Sequence, residues 1–372
     1  MVDQIGIIIT FIFFLLLFTG VGTYSATQKK ATTTDYLLAS RNVNPVLTAL
    51  SAMATGQSGL LFIGQVGFAY KIGISAIWLI IGWAIGDYLP WWFVFKPLRE
   101  QSEATNSETV SAFLAQNIQG YRLISLVSAL ITLAFLGSYA AAQLVAGSKA
   151  LNTVFGWNYN LGIIIGAIIV VIYCFSGGIR ASIWTDALQA ILMLGSLLLL
   201  LIVALPDLLT SGDPELALPY LSLELLPVVL VGLILAGLFS ATMSTADSQI
   251  LSCSAALTQD IFPQMSNSYN LAKIGTLTVN AVILVIALAG DNNVFALVTF
   301  SWSALASGLG PLLLIKVWQQ PINTVTAIAM MIIGITTALI SNLVLNLSGV
   351  IYEVLPGMVA GMAVYGLSNC CA

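Results

Sequence analysis

LTALSAMATGQSGLLFIGQVGFAY, residues 47–70, decides the class of the molecule. It carries no charged side chain, and it exceeds the roughly 20 apolar residues that cross about 30 Å of hydrocarbon. It is therefore read as a membrane span, but not a uniformly apolar one. With successive residues turned by about 100°, Thr48, Ser51, Thr55 and Ser58 fall within an arc of about 80°, a hydroxyl stripe on one face. Gly56 and Gly59 interrupt the same segment, and Gly64 and Gly67 follow. Glycine lowers the cost of unwinding, and an unwound turn exposes carbonyl oxygens that can replace part of a cation's hydration shell. Taken alone, the stripe fits better as a small-residue packing face whose hydroxyls bond back to their own helix.

The rest of the chain has the same character. Of its 372 residues 59% are apolar and 7% charged, against about 25% charged in an average soluble domain. There is no histidine, which excludes His-based proton relays, Ser-His and Cys-His nucleophiles and the commonest transition-metal ligand. Cys174, Cys253, Cys370 and Cys371 show no CxxC spacing and are read as reduced packing residues. The net charge of −4 and the lack of a basic tract argue against a nucleic-acid partner. No cofactor is expected, and no enzyme: Ser58 and Ser244 are hydroxyls without a histidine base.

Eleven apolar runs are long enough to span, at about 4–24, 45–70, 73–96, 122–147, 159–177, 181–206, 226–257, 271–290, 294–317, 322–346 and 351–369. The first is too long for a signal-peptide core and lacks a basic leader, so it is read as retained. With the N-terminus outside, Lys29, Lys30, Arg41, Lys96, Arg99, Arg122, Arg180, Lys273 and Lys316 fall on one side and only Lys71 and Lys149 on the other. The positive-inside rule makes the first side cytoplasmic, the C-terminus included. The expected organisation is one polytopic domain: N-terminal helices over 1–206, a short extracytoplasmic linker over 207–225, and the remaining helices over 226–372.

A second stripe lies in AGLFSATMSTADSQILSCSAALTQDI, residues 236–261. Ala241, Ser244, Thr245, Ser248 and Ser252 lie within about 100° of arc. Neutral hydroxyls and carbonyls suit weak, reversible binding of Na⁺. Two such stripes, one on a Gly-broken helix, point to a site between them. Of the carboxylates within spans, Asp186 is the strongest functional candidate, with an ion pair to nearby Arg180 or a helix-dipole contact as its structural alternative. Asp87 precedes an interfacial aromatic cluster, Tyr88, Pro90, Trp91 and Trp92. Asp247 points about 100° away from the stripe and reads as a supporting residue.

The sequence resembles the sodium/solute symporter family, most of all its sodium/proline members. The resemblance covers nearly the whole chain in order: DYLLASRNVNPVLTALSAMATGQSG (35–59), FSGGIRASIWTDALQ (175–189), ATMSTADSQILSCSAALTQDI (241–261), ALVTFSWSALASGLGPLLL (296–314) and YEVLPGMVAG (352–361). It implies an all-α integral membrane fold, a shortened version of the five-plus-five inverted-repeat transporter with about eleven transmembrane helices. It also implies a sodium site made of the carbonyls of Ala54, Gln57 and Ala241 and the hydroxyls of Ser244 and Thr245. Asp186 then stands on the sodium release path, and Ser58, Gly59 and Tyr139 lie beside the solute.

Two departures bear on function. Gly56 and Leu60 stand where proline symporters have aspartate and tryptophan, which argues more against proline than against sodium. Between the WTD and MSTADSQ helices the family carries well over a hundred residues, including two helices, where this chain has only PDLLTSGDPELALPYLSLEL, residues 206–225. The expected function is Na⁺-coupled import of a small, amino acid-like solute across the lipid bilayer. The alternative is a transport-deficient shortened homologue acting as a membrane scaffold or Na⁺-dependent sensor.

Overall fold

The computed structural model of the chain describes residues 2–28, 30–204, 214–290, 293–347 and 351–370. These form an all-α structure with no strand among the described residues. In chain order the helices are α1 (Val2–Ser25), α2 (Thr33–Leu38), α3 (Pro45–Gly59), α4 (Val66–Ile72), α5 (Ile77–Pro90), α6 (Lys96–Ala104), α7 (Val110–Ala115) and α8 (Tyr121–Ile131). They continue with α9 (Gly137–Phe155), α10 (Tyr159–Ala204), α11 (Ala217–Leu225), α12 (Val228–Ala255), α13 (Tyr269–Ala289), α14 (Val294–Val317), α15 (Thr324–Leu339) and α16 (Val354–Cys370). Wider π-helical turns extend several of them, notably Leu60–Gln65 between α3 and α4 and Ala256–Ile261 after α12.

Among the described residues, eight helical stretches are long and apolar enough to cross a membrane, and Val354–Cys370 is a shorter apolar helix. The eleven expected spans map onto these nine because two stretches each hold two. Pro45–Ala104 turns at Gly73, at φ 65° and ψ −145°. The 46 residues of α10 turn at Gly178, at φ 59° and ψ −145°; unbroken, they would run about 70 Å at roughly 1.5 Å per residue, twice the thickness of a bilayer core. A Cβ at position 178 would stand 2.2 Å from the carbonyl oxygen of Tyr36, so both the left-handed backbone and the space demand glycine. The expected linker is partly outside the described residues, at 207–213. Its remainder is a 3-10 turn at Pro214–Leu216 followed by α11.

The chain divides into two compact units. The first comprises Met1–Ile77, Ser138–Ser254 and Asn267–Leu297. Within it α10 packs against α1, α3 and α13, and the helices that carry most of the predicted site residues lie together. A buried ion pair ties its linker segment down: Lys149 Nζ meets Glu215 Oε2 at 2.6 Å. Glu215 also accepts the backbone N–H of Phe295 at 3.0 Å, placing a carboxylate at the positive N-terminal end of α14.

The second unit comprises Trp78–Gly137, Ala255–Ser266 and Val298–Ala372. Its core gathers Phe113, Leu114, Ile124, Leu312 and Met331, and α15 packs against α16 along its length. Asp260 accepts the hydroxyls of Thr109 at 3.0 Å and Ser125 at 2.9 Å, while Arg122 donates to the carbonyls of Asp260 and Ile261. These contacts close the C-terminal end of the helix that begins as α12. Helix α5 has no buried residue, and its Trp78, Ile85 and Tyr88 are exposed, as on a lipid-facing helix.

Candidate functional site

The site begins with a break in α3. Ser58 sits at φ 55° and ψ 177°, so the helix ends there and resumes from Gly59 through the π-turn into α4. Such a break frees backbone N–H groups on the resumed half and carbonyls on the first. The freed donors are met locally. Ser58 Oγ accepts the N–H of Leu60 at 3.1 Å, and Gln143 Oε1, from α9, accepts the N–H of Gly59 at 2.8 Å. Gly59 has to be glycine: a Cβ there would stand 2.6 Å from Thr242 Cγ2 and 2.9 Å from Ala146 Cβ. Helices α9 and α12 therefore press directly on the interrupted turn.

The carbonyl side of the break faces α12. Thr245 Oγ1 donates to the carbonyl of Thr55 at 2.9 Å, and its distance to the carbonyl of Ala241 is 3.1 Å. Ser244 Oγ lies 3.3 Å from the Ala241 carbonyl. In return Thr55 Oγ1 reaches the Ser244 carbonyl at 3.3 Å and Ser248 Oγ at 3.2 Å. Ala54, Ala241, Ser244 and Thr245 are fully buried; Gln57 is half-buried. Thr55 of one stripe thus meets Ser244, Thr245 and Ser248 of the other across a seam lined by uncharged oxygen atoms. The other members turn elsewhere: Thr48 and Ser252 bond back to their own helices, Ser51 turns to Asp186, and Ser58 to the N–H of Leu60.

Beside this seam, Asp186 is fully buried on the second half of α10. Its Oδ2 accepts Ser51 Oγ at 2.7 Å and lies 3.4 Å from Ser182 Oγ. Arg180, the ion-pair alternative read from sequence, goes elsewhere: it binds Asp35 Oδ1 at 2.7 Å and the carbonyl of Ala39 at 2.9 Å. Asp247 is fully buried, with Tyr173, Ser182, Ser248 and the carboxylate of Asp186 as polar neighbours. Asp87 is exposed on α5. Tyr139 is buried on α9, one turn before Gln143.

Gln143 and Ser182 were not singled out from sequence, yet one closes the break and the other helps hold Asp186. Their signal was available. Each is a polar side chain in an apolar span, and each lies four residues from a residue that was noticed, Tyr139 and Asp186.

The known proteins that this chain is similar to fit the arrangement. The profile of the sodium:solute symporter family matches residues 36–213 and 204–334. The high-affinity proline transporter PutP of Bacillus subtilis (strain 168) is 26% identical over 440 aligned positions, covering 91% of this chain and 93% of that protein. The sodium/proline symporter of Escherichia coli (strain K12) is 25% identical over 88% of this chain and 86% of its own length. A solved structure of a Na⁺-coupled sialic acid symporter, in a substrate-bound outward-open state, superposes with a TM-score of 0.78 at 16% identity, covering 99% of this chain and 98% of that one. The alignment to PutP is longer than the whole 372-residue chain, and the two profile matches overlap at 204–213, where α10 ends and the linker begins. With a profile match over most of its length and a broken helix laid against the MSTADSQ helix, the chain belongs to the sodium:solute symporter family.

Proposed function

We propose that the chain imports a small, amino acid-like organic solute with Na⁺ by alternating access, as a multi-pass protein of the cell membrane with its N-terminus outside and its C-terminus in the cytoplasm. The observation that carries this reading is the seam between the break in α3 and α12, where Thr245 Oγ1 and the Thr55 carbonyl meet at 2.9 Å. Na⁺ would be held by the carbonyls of Ala54, Gln57 and Ala241 and the hydroxyls of Ser244 and Thr245. The hydroxyls of Ser244 and Thr245 point to the same carbonyl, that of Ala241. An arriving cation would take that carbonyl as a ligand; the proton of Ser244 turns away from it, while that of Thr245 already lies on the Thr55 carbonyl, so that both hydroxyl oxygens face the ion.

This exchange ties ion binding to the fit of the broken helix against α12. A ligand shifts a conformational equilibrium only by its differential affinity for the two states, so a site split between two helices responds to their separation. Na⁺ held across the seam favours the state in which α3 and α12 are close, with solute bound next to Ser58, Gly59 and Tyr139. Release to the cytoplasm then passes Asp186, whose carboxylate is held by Ser51 on the same helix as the carbonyl ligands.

A second reading, a Na⁺-responsive membrane scaffold without transport, is favoured by the internal shortening, since the aligned relative carries residues in the matched span that this chain lacks. The two readings divide on one experiment. Gradient-driven accumulation in proteoliposomes supports the transporter; Na⁺-dependent thermal protection without accumulation supports the scaffold.

A further inference from the structure

Glu353 takes no part in the seam: it belongs to the second unit, and the seam residues belong to the first. It stands immediately before α16 with 3% of its surface exposed. Its Oε1 accepts the hydroxyl of Ser303, on α14, at 3.0 Å and Asn342 Nδ2 at 2.9 Å, the latter from the π-helical turn Ile340–Val344 that follows α15. Its Oε2 is buried and has no hydrogen-bond partner among the described residues. No lysine or arginine among the described residues pairs with it. A carboxylate buried in this way calls for an opposite charge.

The protons around it are too few. Ser303 Oγ has one, with two acceptors in reach: Glu353 Oε1 and the carbonyl of Thr299 at 2.7 Å. Tyr352 Oη donates to that same carbonyl at 3.1 Å. Oε1 and the carbonyl therefore compete for the Ser303 hydroxyl, while Oε2 has no donor. A proton on Oε2 would neutralise the carboxylate but leave that competition as it stands. The cluster is short of positive charge, which excludes an anion. Its donor atoms are all oxygen, which suits a hard cation rather than a thiolate- or imidazole-seeking metal. Divalent Ca²⁺ is usually held by several carboxylates, and here there is one. Tyr352, the next residue back, is exposed, so the carboxylate lies close to the surface.

We infer that Glu353, with Ser303 and Asn342 around it, forms a cation site that takes a monovalent alkali cation and ties together the adjoining ends of α15 and α16 and the flank of α14. The site is separate in its residues from the seam and stands whether or not the chain transports.

The test uses the purified full chain carrying Thr245→Ala, which weakens the seam. It would be melted in rising NaCl or KCl, with choline chloride holding the ionic strength constant. The expected result is a saturable rise in melting temperature of about 2 °C or more with at least one of the two cations, abolished when Glu353→Gln is added. Equilibrium binding of labelled Na⁺ and Rb⁺ should fall by about one cation per chain in Glu353→Gln alone. The same melting response and the same bound cation in Glu353→Gln would overturn the site, as would no alkali-cation response in the Thr245→Ala chain. Should Glu353→Gln fail to fold, Asn342→Asp decides. A second carboxylate beside the first should give the chain a Ca²⁺-dependent rise in melting temperature that the parent lacks, and no response to Ca²⁺ in that variant would overturn the site.

Discussion

Ser51 Oγ donates to Asp186 Oδ2 at 2.7 Å, a bond between the broken helix α3 and the second half of α10, across 135 residues of sequence. Both side chains are buried. The bond holds the carboxylate one helical turn from Thr55, whose carbonyl accepts Thr245 Oγ1 of α12. Ion binding at the seam and the position of Asp186 are therefore mechanically joined through one helix.

Removing the hydroxyl should separate the two. Ser51→Ala removes the shortest contact of Asp186 Oδ2, leaving the long one to Ser182 and the neighbouring carboxylate of Asp247, and an unmet buried acceptor costs about 1–3 kcal/mol. The expected outcome is a lower melting temperature together with a slower release of Na⁺ to the inside, read as a reduced maximal uptake rate at saturating external Na⁺. Ser51→Thr, which keeps the hydroxyl, should restore both.

The seam gives a sharper prediction. Thr245 Oγ1 is the side chain that reaches the α3 backbone directly, at 2.9 Å, whereas Ser244 bonds within its own helix. Thr245→Ala should raise the Na⁺ concentration for half-maximal activity more than Ser244→Ala does, each by about tenfold or more on the scale of one charge-assisted oxygen contact. Thr245→Ser should stay close to the parent. The reading is a Na⁺ titration of uptake or of thermal protection with the counter-ion held constant.

Acid should loosen the link between α2 and the turn at Gly178. Burial would raise the Asp35 carboxyl, but hydrogen bonds from Ser40, Arg180 and the N–H of Lys30, with the charge of Arg180, outweigh it and hold the carboxyl below the usual carboxylate range. A depressed folded-state pKa adds stability that is fully present above the unfolded value, about 3.9, and is lost as pH falls through the folded value. Melting temperatures measured from pH 7 to pH 3 should thus show the parent above Asp35→Asn at neutral pH and converging with it below about pH 4. Parallel curves across the whole range would mean that the carboxylate charge contributes nothing to the link.

Glycines in the same region should behave differently from one another. Gly59→Ala puts a methyl 2.6 Å from Thr242 Cγ2, an overpacking that costs roughly 1–3 kcal/mol and displaces α12 or α9. Gly56→Ala meets nothing within 4 Å and gains about 1 kcal/mol of helix propensity. The expected pair of results is lost Na⁺ dependence for the first and unchanged or raised thermal stability for the second, checked on the same purified preparations.

Much of this was legible in the sequence for a simple reason: hydrocarbon tolerates little besides helices, so length and charge placement reveal the spans. The hydroxyl stripes were readable because helical periodicity needs no tertiary information, and Thr55, Ser244, Thr245 and Ser248 do face one another. The glycines point to a break near Gly56 and Gly59, but the residue that turns is Ser58. Its conformation is held by Gln143 and by its own hydroxyl, contacts that no local propensity encodes. Arg180 was set near Asp186 by sequence distance, whereas its partner Asp35 lies 145 residues away. The sequence presents residues 217–225 as linker, whereas they form α11; their mixture of polar, proline and apolar residues gives no clean period.

The central claim is that the shortened chain still couples a Na⁺ gradient to solute entry, and uptake into proteoliposomes tests it most directly. Purified protein should accumulate a small, amino acid-like solute above equilibrium with an inward Na⁺ gradient, and not with K⁺ in its place. Equal uptake under both gradients, or none under either, would contradict the account.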